Sequence, residues 1–432
     1  MKRLIAVFSM LAAALVPLTA QIPVWSLEQC IKYALENNCD VLLGRIGQQK
    51  SRQRLIQSKL ELLPTLHFNA NQYYNWGRSV DMQELVIVRN RLTRQTSASV
   101  GASVPVFEGF ARINTIAMNR ALDKAAAEAG RQTEFEVKAD IAASYLGNVL
   151  ARITRERLRE SYDNVQLQRE RIESAVALGA VSKSDLLELE AKGADILSQM
   201  AAALGQENEN MQRLKALLGC NGVFLTDTSS AACGGTGPLC PQIDPALTPP
   251  MVKAALSEAV AASFALKAAK GALLPTLNLS AGYGTYYSDA SEAGFREQMN
   301  GNRNPSVALS LSVPLFDAGK RLTAVARSKC ELQESEIKLR QAREKAARYA
   351  EDLLEQGNLL CSQCSICREK CRMCRERLSQ ETARYEEGAI TTSQWIDARE
   401  ALSQSECELA QFVCKYLFHL KIMEYYEDEC RR

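Results

Sequence analysis

A mainly helical protein with a small β part, made by tandem duplication, is the fold class this sequence predicts. Three matched landmarks carry the duplication. Leu63-Pro64-Thr65-Leu66 returns as Leu274-Pro275-Thr276-Leu277, and Val104-Pro105-Val106-Phe107 returns as Val313-Pro314-Leu315-Phe316. Gly179-Ala180-Val181-Ser182 returns as Gly388-Ala389-Ile390-Thr391, and the 74 positions from Pro105 to Gly179 equal those from Pro314 to Gly388. A period this long is no solenoid repeat. The chain therefore divides into a first structural repeat at 21–218, a linker or belt at 219–250, and a second repeat at 251–432. Within each repeat the apolar spacing changes from two residues to three and four, so a β-hairpin precedes a long helix.

In the first repeat, Ser26 to Leu62 has apolar residues at helical spacing, and Pro64 stops that helix. Alternation then takes over. Leu66, Phe68, Ala70, Gln72 and Tyr74 alternate with His67, Asn69, Asn71 and Tyr73, which marks a strand with one wet and one mostly greasy face. A polar stretch, Asn75 to Gln95, leads to a second strand, Thr96 to Val106, with Ala98, Val100, Ala102 and Val104 on one face. The second repeat has the same pair: Leu277, Leu279, Ala281 and Tyr283, then Val307, Leu309, Leu311 and Val313.

Each hairpin is followed by a proline-free stretch dense in helix formers, Ala111 to Leu178 and Ala318 to Glu387. At about 1.5 Å per residue such a helix is on the order of 100 Å long, a length that suits coiled coils and tunnels. Gly179 and Gly388 end these helices, and Ser182 and Thr391 take N-cap positions. Shorter helices then return, Ser184 to Leu218 and Ser393 to about Tyr426. The helices that open each repeat, Ser26 to Leu62 and Met251 to Leu274, complete the length by stacking end to end on the return helices. The linker, rich in Gly, Ser, Thr and Pro, holds little helix.

Residues 1–20 have the form of a cleaved signal peptide. Lys2 and Arg3 precede an apolar centre from Leu4 to Leu15, and Leu18-Thr19-Ala20 offers a cleavage site. The apolar run is shorter than the roughly 20 residues that a spanning helix needs. Beyond it the chain is balanced between acids and bases, which argues against a nucleic-acid partner.

The greasy strand faces need a partner, and the flanking helices are too polar to cover them. Lipid is the better one, but a sheet in hydrocarbon must close, because each unpaired backbone group there costs several kcal/mol. Four strands cannot close a barrel. Three copies supply a 12-stranded β-barrel, so a homotrimer follows from hydrogen bonding. The duplicated hairpin and long-helix pair resembles the TolC-like outer-membrane efflux proteins. Leu-Pro-Thr-Leu stands before a strand, Val-Pro-Leu-Phe-Asp-Ala-Gly-Lys before the long helix, and Tyr385-Glu386-Glu387-Gly388-Ala389-Ile390 at the turn. The likeness runs from about Leu27 to Tyr426. It implies a trimeric channel-tunnel in the cell outer membrane that extends into the periplasm as an α-barrel. It also implies a periplasmic adaptor (membrane fusion) protein and an inner-membrane pump of RND or ABC type, as the exit duct of a tripartite efflux or type I secretion system. No catalytic residue and no cofactor is expected.

The same resemblance makes the two turns, at Gly179 and Gly388, the tunnel tip, and acids near them the channel entrance. Asp185, Glu188 and Asp397 are the candidates, with Gln394 standing where the first repeat has Asp185. Acids near a helix N-terminus are also favoured for their own sake, by about 0.3–1 kcal/mol. Three copies would gather nine carboxylates, so a cation-preferring pore is expected.

Fourteen cysteines are unusual for an exported channel. Cys361, Cys364, Cys367 and Cys371 have the spacing of an iron–sulfur cluster motif, and Cys374 follows. Helical sequence continues on both sides, and Leu353, Gly357, Leu360, Cys364, Cys367, Cys371, Cys374 and Leu378 form an unbroken heptad seam, which suits packing. Disulfides are a further option. A fold back at Gly388 brings Cys371 and Cys361 towards Cys407 and Cys414, and Cys233 and Cys240 bracket a Gly-rich loop. Two other functions are thus carried from the sequence: a periplasmic redox or metal-binding coiled coil using the Cys361–Cys374 stripe, and a soluble periplasmic scaffold. The two histidines, His67 and His419, are too isolated for a metal site and are expected at surface or strand positions.

Overall fold

The computed structural model describes residues 24–80, 87–178, 182–220, 222, 224–227, 247–291 and 293–431. The signal segment 1–20, Gly179, Cys233 and Cys240 lie outside the described residues. In chain order the elements are β1 (Val24–Trp25), α1 (Leu27–Asn37), α2 (Cys39–Leu60), β2 (Thr65–Val80), β3 (Ile87–Glu108), α3 (Ala111–Ala177), α4 (Lys183–Leu218) and β4 (Leu225–Thr226). The second repeat adds α5 (Pro250–Gly271), β5 (Thr276–Ser288), α6 (Phe295–Gly301), β6 (Asn304–Ser312), α7 (Lys320–Glu386) and α8 (Thr392–Arg431). No helix among the described residues is long and apolar enough to cross a membrane. Two compact units cut across the repeats. One gathers the chain up to Leu42, Thr133–Leu247 and Arg348 onward, and the other holds Leu43–Gln132 and Thr248–Ala347.

The second of these units carries the strands. They form one antiparallel sheet in the order β2-β3-β5-β6. Its register keeps apolar and polar rows on opposite faces near the helix-proximal end. Phe68, Val100, Tyr283 and Pro305 make one row, and Leu66, Ala102, Ala281 and Val307 the next. On the other face His67, Gly101, Gly282 and Ser306 line up, beside Asn69, Ser99, Gly284 and Asn304. The His67 ring lies over Gly101, where any side chain would collide with it. The apolar face is bare: Leu66 is 75% exposed and Val307 78%. β2 and β3 outrun the expected strands, since most of the polar stretch Asn75 to Gln95 continues the ladder. Backbone pairing asks nothing of side-chain polarity, so the polar composition hid the strand. In the second hairpin α6 intervenes, held by Gln298. Its side-chain amide donates to the Ser288 carbonyl (2.9 Å), and its oxygen accepts from the Ser288 N–H (2.9 Å).

Both strand-to-helix junctions turn on two consecutive left-handed residues, Gly109 and Phe110 in one repeat, Ala318 and Gly319 in the other. Each is tied by an arginine one helical turn on. Arg112 pairs with Glu108 (2.6 Å) and reaches the Glu61 carbonyl. Arg321 pairs with Asp317 (3.3 Å) and donates to the Ala272 carbonyl (2.7 Å). Gly109 and Gly271 approach so closely that a Cβ on either would strike the other's carbonyl oxygen.

The first unit is a helical slab. α4 packs on α3, with Arg155 paired to Glu207 (2.7 Å) and the Asn148 amide donating to the Glu207 carbonyl (2.8 Å). α3 packs on α8 through the buried Lys138–Glu429 pair (2.5 Å) and the Phe135–Tyr426 rings. α8 in turn packs on α7, with Lys370–Glu408 (2.5 Å) and Arg375–Glu406 (2.8 Å) across the pair. The helices thus run in the order α4, α3, α8, α7.

The opening helix of the first repeat is broken, against the single helix expected from Ser26 to Leu62. Asn38 is extended, its side-chain oxygen caps α2 through the Asp40 and Val41 N–H groups (2.8 and 3.3 Å), and its amide donates to the Leu217 carbonyl (2.8 Å). That last bond joins α1 to the end of α4. A side chain that satisfies orphan helix ends on both sides makes the break cheaper than a continuous helix. Nearby, β1 pairs in parallel with β4, so the linker contributes a two-residue strand, Leu225–Thr226. The Tyr145 hydroxyl donates to the Trp25 carbonyl (3.0 Å) and accepts from the Asp227 N–H (2.9 Å), which pins this ribbon to α3.

Candidate functional site

The turn between α7 and α8 is closed by backbone and side chain together. Gly388 has φ +73°, a conformation that favours glycine, and its N–H donates to the Tyr385 carbonyl (3.0 Å) while Ala389 N–H donates to that of Arg384 (2.8 Å). Thr391 and Gln394 then form a capping box: Thr391 N–H donates to Gln394 Oε1 (3.2 Å), and Gln394 N–H to Thr391 Oγ1 (3.3 Å). Gln394 is therefore engaged in starting α8, which gives a physical reason for an amide where the first repeat has Asp185. In that repeat Ser182 caps α4 by accepting from the Ser184 N–H (3.1 Å). Trp395 anchors the turn from inside. Its indole N–H donates to Thr382 Oγ1 (3.0 Å), Tyr385 stacks on it, and the Arg399 guanidinium lies 5.4 Å from its ring.

Two of the candidate acids, Asp185 and Glu188, line a cleft of about 420 Å³ together with Lys192, Thr391, Ser393, Ile172, Leu189 and Ile396. Asp185 sits exposed in the first turn of α4. Glu188 accepts from the Ser393 hydroxyl (3.3 Å) and lies 3.4 Å from the Lys192 ammonium. Lys192 also meets Asp397 at 2.5 Å. Burial alone would lower the Lys192 pKa, but the hydrogen bond and charge of Asp397, joined by Glu188, hold it above the ordinary lysine value. Reasoning from sequence missed this lysine. Its place one helical turn after Glu188 was the available signal. It ties α4 to α8 and offsets one of the three acidic charges in each chain.

The cysteine stripe lies on one uninterrupted helix. Leu353, Gly357, Cys364, Cys367 and Cys371 are buried along α7, as is Cys361. Burial pushes the Cys364 thiol above its usual pKa, the setting of an inert packing thiol. Among the described residues the cysteines are thiols, Cys361, Cys371, Cys407 and Cys414 included, and no group of three or more His, Cys, Asp or Glu is placed to hold a metal. His419 is buried rather than at the surface, its Nε2 lying 2.6 Å from the Leu353 carbonyl. A buried imidazole serves here as a hydrogen-bonding bridge between α8 and α7.

A model of the outer membrane efflux protein family matches residues 30–220 and 247–417, the two repeats in order. The chain belongs to that family. The cation efflux system protein CusC of Escherichia coli O157:H7 is 24% identical over 381 residues, covering 86% of this chain and 79% of that protein. The solvent efflux pump outer membrane protein SrpC of Pseudomonas putida is 25% identical over 305 residues, covering 68% of this chain and 62% of that protein. Among solved structures, that of CusC superposes with TM-score 0.78 at 19% identity, covering 92% of this chain and 91% of that one. The Campylobacter jejuni CmeC outer membrane channel gives 0.79 at 14% identity, covering 94% and 86%. The fold is thus that of the TolC-like channel-tunnels, and the protein is an outer-membrane efflux channel. A redox or metal-binding coiled coil built on the cysteine stripe finds no support.

Proposed function

We propose that three copies of this chain join their four-stranded sheets into a 12-stranded barrel in outer-membrane lipid, and that their helices form a periplasmic conduit. The observation that carries this reading is the sheet. Its apolar face is exposed row after row, and β2 and β6 each offer an open edge at opposite sides. In hydrocarbon those edges must pair, and sister copies supply matching ones. The conduit serves as the exit duct of a tripartite system, meeting a periplasmic adaptor and an inner-membrane pump of RND or ABC type. Its work is passage and gating, with no reaction to catalyse.

The tip holds the entrance. Asp185, Glu188 and Asp397 give it negative potential, Lys192 tempers that potential, and Gln394 and Gly388 shape the turn. A cation-preferring pore follows, with Asp185 contributing most because Lys192 offsets the other two. Single-channel reversal potentials under a salt gradient test this. Asp185→Asn should shift the potential towards zero more than Asp397→Asn does. Anion preference in the unaltered protein, or no response to Asp185→Asn, would refute the entrance assignment.

A further inference from the structure

Two cysteines outside the α7 stripe share one core. Cys30 is fully buried on α1, and Cys220 follows directly on Gly219, the residue that caps α4. They stand 190 positions apart in the sequence. Cys30, Leu214, Leu218 and Phe224 belong to one buried cluster, and half-buried Cys220 packs against it. Both are thiols in the structure. Burial pushes the Cys30 pKa up to about 12, and the neighbouring Cys220 adds to the shift through its charge. A charge effect of this kind needs the two sulfurs close together.

The backbone holds them there. Gly219 takes φ +66°, the left-handed turn that closes a helix end, and the Cys220 N–H donates to the Lys215 carbonyl (3.2 Å). The chain on both sides of Cys30 is tied to the chain on both sides of Cys220. At one end the Asn38 amide donates to the Leu217 carbonyl (2.8 Å). At the other, Trp25 pairs with Thr226 between β1 and β4, and the Trp25 and Phe224 rings stack at 5.0 Å. Between those two ties neither cysteine can move far from the other.

We infer that a disulfide bond joins Cys30 to Cys220 in the exported protein, fastening the opening helix of the first repeat to the end of its return helix. The bond depends on the periplasmic placement of the helices given above, because that compartment is oxidising. The oxidant is the disulfide of a thiol oxidase. The thiolate of Cys220, the more accessible of the two, attacks one sulfur of that disulfide and expels the other as a thiolate. Cys30 then loses its proton and attacks the Cys220 sulfur of the mixed disulfide, expelling the oxidant's second thiolate. Two cysteine thiols are oxidised, one disulfide is reduced to two thiols, and the two protons pass to them. A buried thiol held in its protonated form attacks slowly, so the bond forms while the core is still assembling. It closes a loop of nearly the whole first repeat, which restricts the unfolded chain.

The test quenches cells expressing the full chain in acid and alkylates free thiols with N-ethylmaleimide under denaturing conditions. The protein is then digested, without reductant, by trypsin and by a protease that cuts before aspartate. Cuts after Lys32 and before Asp227 separate Cys30 from Cys39, and Cys220 from Cys233 and Cys240. The expected result is one linked species, Cys30 to Cys220, which reductant divides into its two peptides. Outer-membrane protein in which both are alkylated, or either is linked to a different cysteine, overturns the inference and leaves the channel standing. Protein that accumulates in the cytoplasm would overturn the periplasmic placement and the disulfide with it. A second arm reads stability. Reductant should lower the unfolding midpoint of the unaltered protein by on the order of 5 °C. Cys220→Ala should remove most of that shift, whereas Cys330→Ala, at an exposed position outside the pair, should leave it whole. An undiminished shift in the Cys220→Ala protein would contradict the bond.

Discussion

α3 and α7 descend from one segment and are both 67 residues long, yet they live in different surroundings. Over its length α3 buries Phe135, Ile141, Tyr145, Val149, Leu158, Val165 and Ile172, because α4 covers one side and α8 the other. α7 buries mainly Leu353 and the cysteines that face α8, and leaves Leu359, Ile366 and Met373 bare. Identical ancestry with unequal burial means that the local sequence has been tuned to position in the slab. The inner helix has both partners in its own chain. The outer helix carries apolar residues that the described helices of its own chain leave exposed.

That contrast breaks most sharply at charge pairs. Lys138→Met on α3 should take the ammonium away from the buried Glu429 carboxylate and destabilise the first unit by about 3–5 kcal/mol, as removal of one member of a buried pair does. A lysine removed from the outer helix, Lys370→Met, takes away an exposed partner of Glu408 and should leave the thermal unfolding midpoint in place. Equal losses for the two variants would erase the distinction between inner and outer helices. Next in size is the cysteine seam. Cys364→Ala should cost on the order of 1 kcal/mol in lost packing with channel conductance retained. Loss of a bound metal or a coloured species on that substitution would contradict its packing role.

The smallest structural effect, and a clear electrical one, is expected at Lys192. Lys192→Met should leave trimer stability nearly unchanged while making reversal potentials more cation-selective, since Glu188 and Asp397 lose their counter-charge. Its pKa is raised in the folded protein, so the sign of the pH dependence follows. The pair's contribution is complete below lysine's ordinary value near 10.4 and fades only as pH climbs through the higher folded value. An alkaline titration in which the Lys192→Met protein loses stability in parallel with the unaltered one would remove the lysine from that account.

Much of the fold was legible because it is written twice. Pro64 and Pro275, Gly388, and the alternation from Leu66 to Tyr74 bound elements that the structure contains, and the doubled spacing excluded chance. The Leu353–Leu378 seam was legible because a coiled-coil contact shows its period. Three features were hidden for physical reasons. The break at Asn38 depends on Leu217, far along the chain. The long extensions of β2 and β3 rest on backbone pairing, which composition does not record. At the α7–α8 turn, the acids were visible as residues, but Lys192 acts through Asp397, a neighbour only once the N-terminal turns of α4 and α8 converge. The cross-cutting of the two repeats by the two compact units was equally invisible, since it arises from packing between copies of the duplicated segment.

Closure of the sheet by sister subunits is the claim on which the conduit and the entrance both depend. Light scattering of the detergent-solubilised protein, corrected for bound detergent, measures it directly. A protein mass of three chains, lost on heating together with the β-sheet signal, is the predicted result. A single chain that remains soluble and folded without detergent would contradict it.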